Sequence, residues 1–200
     1  MASTLEKQYQ KKTDKEHILD NPDTYIGSIE NVNGESYVFQ DGKVKSKVID
    51  FNPALFKLFD EGIVNCRDHV IRMNTLKQTI PETDLVTDIN VTIDNNKITM
   101  TNNGNGIDVE KHPTYDVWIP ELIFGHLRTS TNYNKDEEKI TGGKNGFGFK
   151  LVLIWSTYGR IETVDKVRGL KYSQVFENNL DVIHKPSVVK SKVKPYTTVE

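Results

Sequence analysis

The stretch Thr141-Gly142-Gly143-Lys144-Asn145-Gly146-Phe147-Gly148-Phe149-Lys150 decides how this chain reads. Glycine-rich backbone N–H groups at the start of a helix form an anion site. Lys144 and Lys150 add positive charge to it. The string is not a Walker A loop, since GxxxxGK[ST] is absent, and it is not the dinucleotide fingerprint GxGxxG. A hairpin tip would use the same glycines, so the string alone leaves both readings open. Residues 149–156 after it read as a buried helix. Residues 132–148 hold charge, Asn and Gly with little apolar content, the composition of a loop.

Working outward, Asn52-Pro53 is a good N-cap and first-turn pair. It opens a long helix to about Leu76, with Leu55, Phe59, Ile63 and Val70 near helical spacing. Glu61, Asn65 and Asp68 fall at i, i+4 and i+7 and share another face. Glu61 can orient or deprotonate a water. The Asn65 carbonyl oxygen suits Mg²⁺, a hard ion. A solvated helix face would look the same. Gly62 in mid-helix costs about 1 kcal/mol against Ala, which points to close approach by another backbone. A second hairpin, INVTID, Asn95-Asn96, KITMT, leads into Thr101-Asn102-Asn103-Gly104-Asn105-Gly106-Ile107. Gly104 and Gly106 let a backbone approach a flat ligand, and an Asn amide can pair with a base edge. An ordinary Asn/Gly turn has the same composition.

Elsewhere, Thr13-Asp14-Lys15-Glu16 reads as a capping box before a short helix that Asn21-Pro22-Asp23 ends. Residues 27–50 read as a hairpin turning at Asp41-Gly42. Residues 116–128 read as a partly helical packing segment, and Arg160 to Ile183 as antiparallel strands. Strands and helices are grouped rather than alternating, which favours α+β over a doubly wound sheet.

The 200 residues suit one globular domain with a real core. The net charge of -2 offers no global basic field for gripping duplex DNA. The basic stretch Lys185 to Lys194 reads as a solvated loop between strands, with a local contact to DNA as the other reading. Cys66 is the single cysteine, so no disulfide framework forms within the chain. The N-terminus lacks the apolar core of a secretory signal. No apolar run approaches the roughly 20 residues of a membrane span. An intracellular home, nuclear, cytoplasmic or viral, is expected, and the sequon at Asn90 then carries no sugar.

The order of these pieces resembles the GHKL ATPases, and within them the type IIA DNA topoisomerases of the eukaryotic and viral kind. The strings that carry the resemblance are YQKKTDKEHILDNPDTYIGS, LFDEGIVNCRDH, TNNGNGI, LIFGHLRTSTNY and TGGKNGFGFK, and it runs from about Tyr9 to the chain end. MutL-like proteins and the ninety-kilodalton heat-shock chaperone share only the general helix and glycine pattern. They are the alternatives, with a non-catalytic nucleotide switch as a third.

The resemblance implies a Bergerat fold, α+β, with a mixed, mostly antiparallel sheet and helices on one face. Its cofactors are ATP and Mg²⁺. Glu61 activates the attacking water and Asn65 binds Mg²⁺. Asn103, Gly106 and Thr197 lie by adenine. Ser130, Thr131 and Asn132 match a ribose and phosphate segment. Gly143, Lys144, Asn145, Gly146, Phe147, Gly148, Phe149 and Lys150 match the triphosphate loop. Residues 133–148 act as a lid that orders on nucleotide. Residues 1–25 form an arm and first helix exchanged in a nucleotide-dependent homodimer, with Tyr9 or Tyr25 as cross-protomer contacts. Residues 26–200 form the ATP-binding domain, ending before a transducer subdomain whose lysine reaches the γ-phosphate. The fragment is therefore expected to hydrolyse ATP poorly, and to meet duplex DNA through the full-length enzyme. Two positions depart from the pattern. His69 stands where the family has Asn, which makes any phosphate contact there depend on pH near 6.5. Phe149 stands where it has Ala, which questions the close packing of the loop.

Overall fold

The computed structural model describes residue 9, residues 11–127, residue 129 and residues 147–200. The chain forms two compact units, Met1–Leu58 and Phe59–Glu200.

The first unit opens with α1 (Asp14–Asp20) and α2 (Pro22–Tyr25). Thr13 and Glu16 close the capping box in both directions. Glu16 N donates to Thr13 Oγ1 at 3.2 Å, and Thr13 N donates to Glu16 Oε2 at 2.7 Å. These bonds satisfy donors that a helix start leaves orphaned. Strands β1 (Val32–Gln40) and β2 (Lys43–Phe51) pair as an antiparallel ribbon. Asp41 and Gly42 both take positive φ, 54° and 73°, which matches the twist of a two-residue hairpin. Tyr37, Phe39, Val44 and Val48 share one face of this ribbon and are exposed. The opposite face is partly covered, with Phe51 edge-on to Phe56 at 6.5 Å. Tyr25 Oη bonds His17 Nδ1 at 2.9 Å, a local contact, while Tyr9 is exposed.

Asn52 caps the long helix α3 (Pro53–Lys77) through its Oδ1, which accepts from Leu55 N at 3.0 Å. This helix carries the chain into the second unit. There the remaining elements are β3 (Ile89–Asp94), β4 (Lys97–Asn103), α4 (Ile119–Gly125), α5 (Gly148–Ile154), β5 (Tyr158–Asp165), β6 (Leu170–Glu177), β7 (Val182–Ile183), β8 (Ser187–Lys190) and β9 (Tyr196–Val199). The sheet runs β3-β4-β9-β5-β6-β7, with β8 also on β6. Each of these pairings is antiparallel. The last strand thus enters the middle of the sheet, where Met100 pairs Val199 and Val199 pairs Ile161. Asn95 and Asn96 do not use left-handed geometry in their turn; Asn95 N donates to Asp94 Oδ1 instead.

The core joins helices to sheet. Cys66 from α3, Phe124 from α4 and Leu153 from α5 pack with Met100, Ile161, Phe176 and Val199. Burying side chains of this size contributes about 1.5–3 kcal/mol each. The stretch Lys185 to Lys194 is not a plain loop: Ser187–Lys190 pairs with Leu170–Ser173. Its lysines remain exposed. No helix among the described residues is long and apolar enough to cross a membrane.

Candidate functional site

Three segments far apart in sequence meet in the second unit: α3, the turn after β4, and the start of α5. Gly148 is the first residue of α5. A Cβ placed on it would lie 3.2 Å from Glu61 Oε2 and 3.8 Å from Asn65 Nδ2. The end of the glycine-rich string therefore approaches the carboxylate and amide that the helix periodicity grouped. Asn65 Nδ2 donates to the Glu61 carbonyl oxygen one turn back. That bond orients the amide and leaves the lone pairs of Oδ1 for another partner. Asn65 is exposed and Glu61 half-buried. Asp68, grouped with them by spacing, is instead buried at 5% exposure, so the three do not share one solvated face.

Gly62 and Phe149 are complementary in size. A Cβ on Gly62 would meet Met100 Sδ at 2.7 Å and Phe149 Cε2 at 3.6 Å. Phe149 stands perpendicular to Phe124 with ring centroids 5.4 Å apart. The mid-helix glycine thus makes room for Met100 and the large ring at 149. The approach is by side chains rather than by another backbone. Close packing at this end of the loop is kept, with Phe149 filling the space.

Lys150 is 4% exposed and its Nζ donates to the Thr129 carbonyl oxygen at 2.5 Å. Burial lowers its pKa to about 8, because removing an ammonium from water disfavours the charged form.

The end of β4 separates two adjacent asparagines. Asn103, expected beside adenine, is engaged elsewhere. Its Oδ1 accepts from Thr87 N at 2.8 Å and Asp88 N at 3.0 Å. Its Nδ2 donates to Thr87 Oγ1 at 2.7 Å and Asp88 Oδ2 at 3.0 Å. Those four bonds fill the amide and fix the chain entering β3. Asn102 points to the other side of the sheet, since strand side chains alternate. It shares its side with Met100, is 5% exposed, and lies opposite Thr197 in the ladder. Its Nδ2 donates to Asn103 O at 2.9 Å, and its Oδ1 accepts no hydrogen bond among the described residues. Thr163 adjoins this pair. Its hydroxyl accepts from Ile107 N at 2.9 Å and donates to Tyr196 O at 3.1 Å. Its one proton is then used, so Thr197 Oγ1, 2.9 Å away, is the donor between them.

Gly106 is needed for a reason other than a ligand. A Cβ there would lie 2.0 Å from Val164 O, so the turn presses against β5 backbone to backbone. Gly104 takes φ +91° against Val86, a conformation that favours glycine. His69 Nε2 lies 2.7 Å from the Asn105 carbonyl oxygen. Burial is the largest influence on this imidazole and lowers its pKa; Arg72 also lowers it, against the raising effect of the Asn105 bond.

Of the expected site residues, Ser130, Thr131, Asn132, Gly143, Lys144, Asn145 and Gly146 lie outside the described residues, as does all of the 133–148 lid except Phe147 and Gly148. Glu61, Asn65 and Gly148 come together between α3 and α5, and Phe149 packs beside them on Gly62, while the Lys150 ammonium turns to Thr129. Asn103 does not join them. Asn102 and Thr163 were not singled out by sequence reasoning. The alternation through KITMTNN, which puts Asn102 in phase with Met100, was the available signal for the first.

A family model described as histidine kinase-, DNA gyrase B-, and HSP90-like ATPase matches residues 52–182. The chain belongs to that family of nucleotide-binding ATPases. Within it, the chain is similar to type II DNA topoisomerases. It is 42% identical over 199 residues to DNA topoisomerase 2 of Candida glabrata, covering 98% of this chain and 14% of the relative. It is 43% identical over 202 residues to DNA topoisomerase 2 of Acanthamoeba polyphaga mimivirus, covering 98% and 15%. Among solved structures, the ATPase region of Saccharomyces cerevisiae topoisomerase II matches with a TM-score of 0.85 and 41% identity, over 96% of this chain and 50% of that one. The ATPase and transducer domains of DNA topoisomerase II from Balamuthia mandrillaris match with a TM-score of 0.87 and 38% identity, over 98% and 50%. The chain thus corresponds to part of a topoisomerase II ATPase region. It spans about half of those solved chains and about a seventh of the curated relatives.

Proposed function

We propose that the chain binds ATP with Mg²⁺ where α3, the turn after β4 and the start of α5 meet, and that it powers a type II DNA topoisomerase. The approach of Gly148 to Glu61 and Asn65 supports this reading most directly. Phosphoryl transfer needs positioned groups and charge neutralisation more than covalent help from the protein. Bound Mg²⁺ would supply that neutralisation at the phosphate oxygens. Asn65 fits it through an oxygen whose amide partner is already committed. Glu61 orients the attacking water. Backbone N–H groups at the start of α5 offer donors to anionic oxygens. Asn102 Oδ1 offers an acceptor to the exocyclic amine of adenine, and Thr197 flanks it. Ser130 to Asn132 and Gly143 to Gly146 are the further residues this reading assigns to the ribose and triphosphate.

In the whole protein, nucleotide binding closes an N-terminal homodimer gate, hydrolysis resets it, and one duplex passes through another, the DNA topological change of an intracellular isomerase. Residues 1–25 cross to the partner as the exchanged arm, and residues 26–200 form the nucleotide domain. Phosphate release with protein in excess over ATP tests the reading. Glu61→Gln is expected to bind ATP while slowing release by about 100-fold or more, the usual scale for general-base loss. Equal rates for both proteins, with release by the wild type above the protein-free background, would overturn the role given to Glu61.

A further inference from the structure

His69 lies one turn beyond Asn65 and two beyond Glu61 on α3. Its Nε2 reaches the carbonyl oxygen of Asn105, in the middle of the turn after β4. A carbonyl oxygen only accepts, so the ring must carry its proton on Nε2. Asn105 is held from its other side too. Its Oδ1 accepts from Asp84 N at 3.0 Å and its N–H donates to Asp84 O at 3.3 Å. Asp84 in turn accepts from Lys166 Nζ at 2.8 Å. Asn103 is clamped by residues 87 and 88, and Gly106 rests on β5. The turn is thus fixed to the sheet and to the segment before β3, and His69 ties its helix side to α3.

We propose that His69 is a positioning residue, which by donating from Nε2 to Asn105 O sets the spacing between α3, with Glu61 and Asn65, and the turn that directly follows Asn102 and Asn103 at the end of β4. This rests on the nucleotide-site reading above. The ring serves by geometry and not by charge, since burial favours its neutral form. Gln places its amide nitrogen the same number of bonds from the backbone as Nε2. Leu keeps bulk and removes the donor.

Three measurements on the 200-residue chain test this. Nitrogen-15 spectra of the imidazole identify the protonated nitrogen. Calorimetric titrations with Mg²⁺ and non-hydrolysable ATP or GTP analogues, on wild type, His69→Gln and His69→Leu, read the site. Thermal melts separate binding from folding. The expected results are a proton on Nε2, a loss of ATP-analogue affinity of about threefold to tenfold in His69→Leu, the scale of one neutral hydrogen bond, a narrowed preference for ATP over GTP, and recovery in His69→Gln at similar melting temperature. A proton on Nδ1, unchanged affinity in His69→Leu, or equal losses for both analogues would overturn the proposal. Failure of the wild type to bind either analogue would instead overturn the nucleotide site itself, with the Nε2 proton still reporting the contact to Asn105.

Discussion

Gly148 sits so close to Glu61 that a Cβ on it would come within 3.2 Å of the carboxylate oxygen Oε2. The residues are 87 positions apart, and their proximity places the start of one helix over the flank of another. Replacing Gly148 with Val should therefore act on the site more than on the fold. Affinity for an ATP analogue is expected to fall about tenfold, from a displacement of Glu61 worth about 1.4 kcal/mol. The melting temperature should fall by only a few degrees. Titration beside a thermal melt checks both.

The size match of Gly62 and Phe149 gives a stability prediction. Gly62→Leu should destabilise by about 1–3 kcal/mol through overpacking against Met100 and Phe149. Phe149→Ala should cost about 3 kcal/mol by leaving a cavity beside Phe124. The double variant should be more stable than the two losses predict together, because the leucine refills the space. Urea unfolding of all four proteins closes the cycle. Strict additivity would show that the two positions are independent.

The two asparagines that end β4 should behave oppositely. Asn103→Ala removes four hydrogen bonds to Thr87 and Asp88, and should cost about 2 kcal/mol of stability. Asn102→Ala should leave stability nearly unchanged but weaken binding of the ATP analogue about tenfold, since the Oδ1 acceptor is lost. The reverse pattern would return the base-side role to Asn103.

Those asparagines also show how much of the site was legible. Spacing alone grouped Glu61 with Asn65, and local chemistry alone placed the Thr13 capping box, the Asp41-Gly42 turn and the Asn52 cap. Choosing between Asn102 and Asn103 needs the strand phase to run through the last residues of β4, because one residue reverses the face. An Asn-Asn-Gly string reads equally well as a turn. The role of Gly62 depends on Met100 and Phe149, and that of Gly106 on Val164, partners a local pattern does not specify. The entry of β9 between β4 and β5 joins residues about a hundred positions apart, as in Met100 with Val199.

Lys150 gives a prediction with a definite sign. Its folded pKa of about 8 lies below the ordinary lysine value of 10.5, so between those pH values the unfolded chain binds more protons. Stability should therefore rise with pH across about 8 to 10.5 and show no further contribution from this lysine above that window. Anionic oxygens bound nearby would favour the charged ammonium. Nucleotide binding at pH 8.5 should then take up a fraction of a proton, seen as a dependence of the titration heat on buffer ionisation enthalpy. Heats independent of buffer would place Lys150 away from the phosphates.

The most direct test is titration of a non-hydrolysable ATP analogue into the wild-type chain and Asn65→Ala, each with and without Mg²⁺. Binding that Mg²⁺ strengthens in the wild type, and that loses this metal dependence in Asn65→Ala, is the predicted result. Equal metal dependence in both proteins, or no binding by the wild type at millimolar analogue, would contradict the site described here.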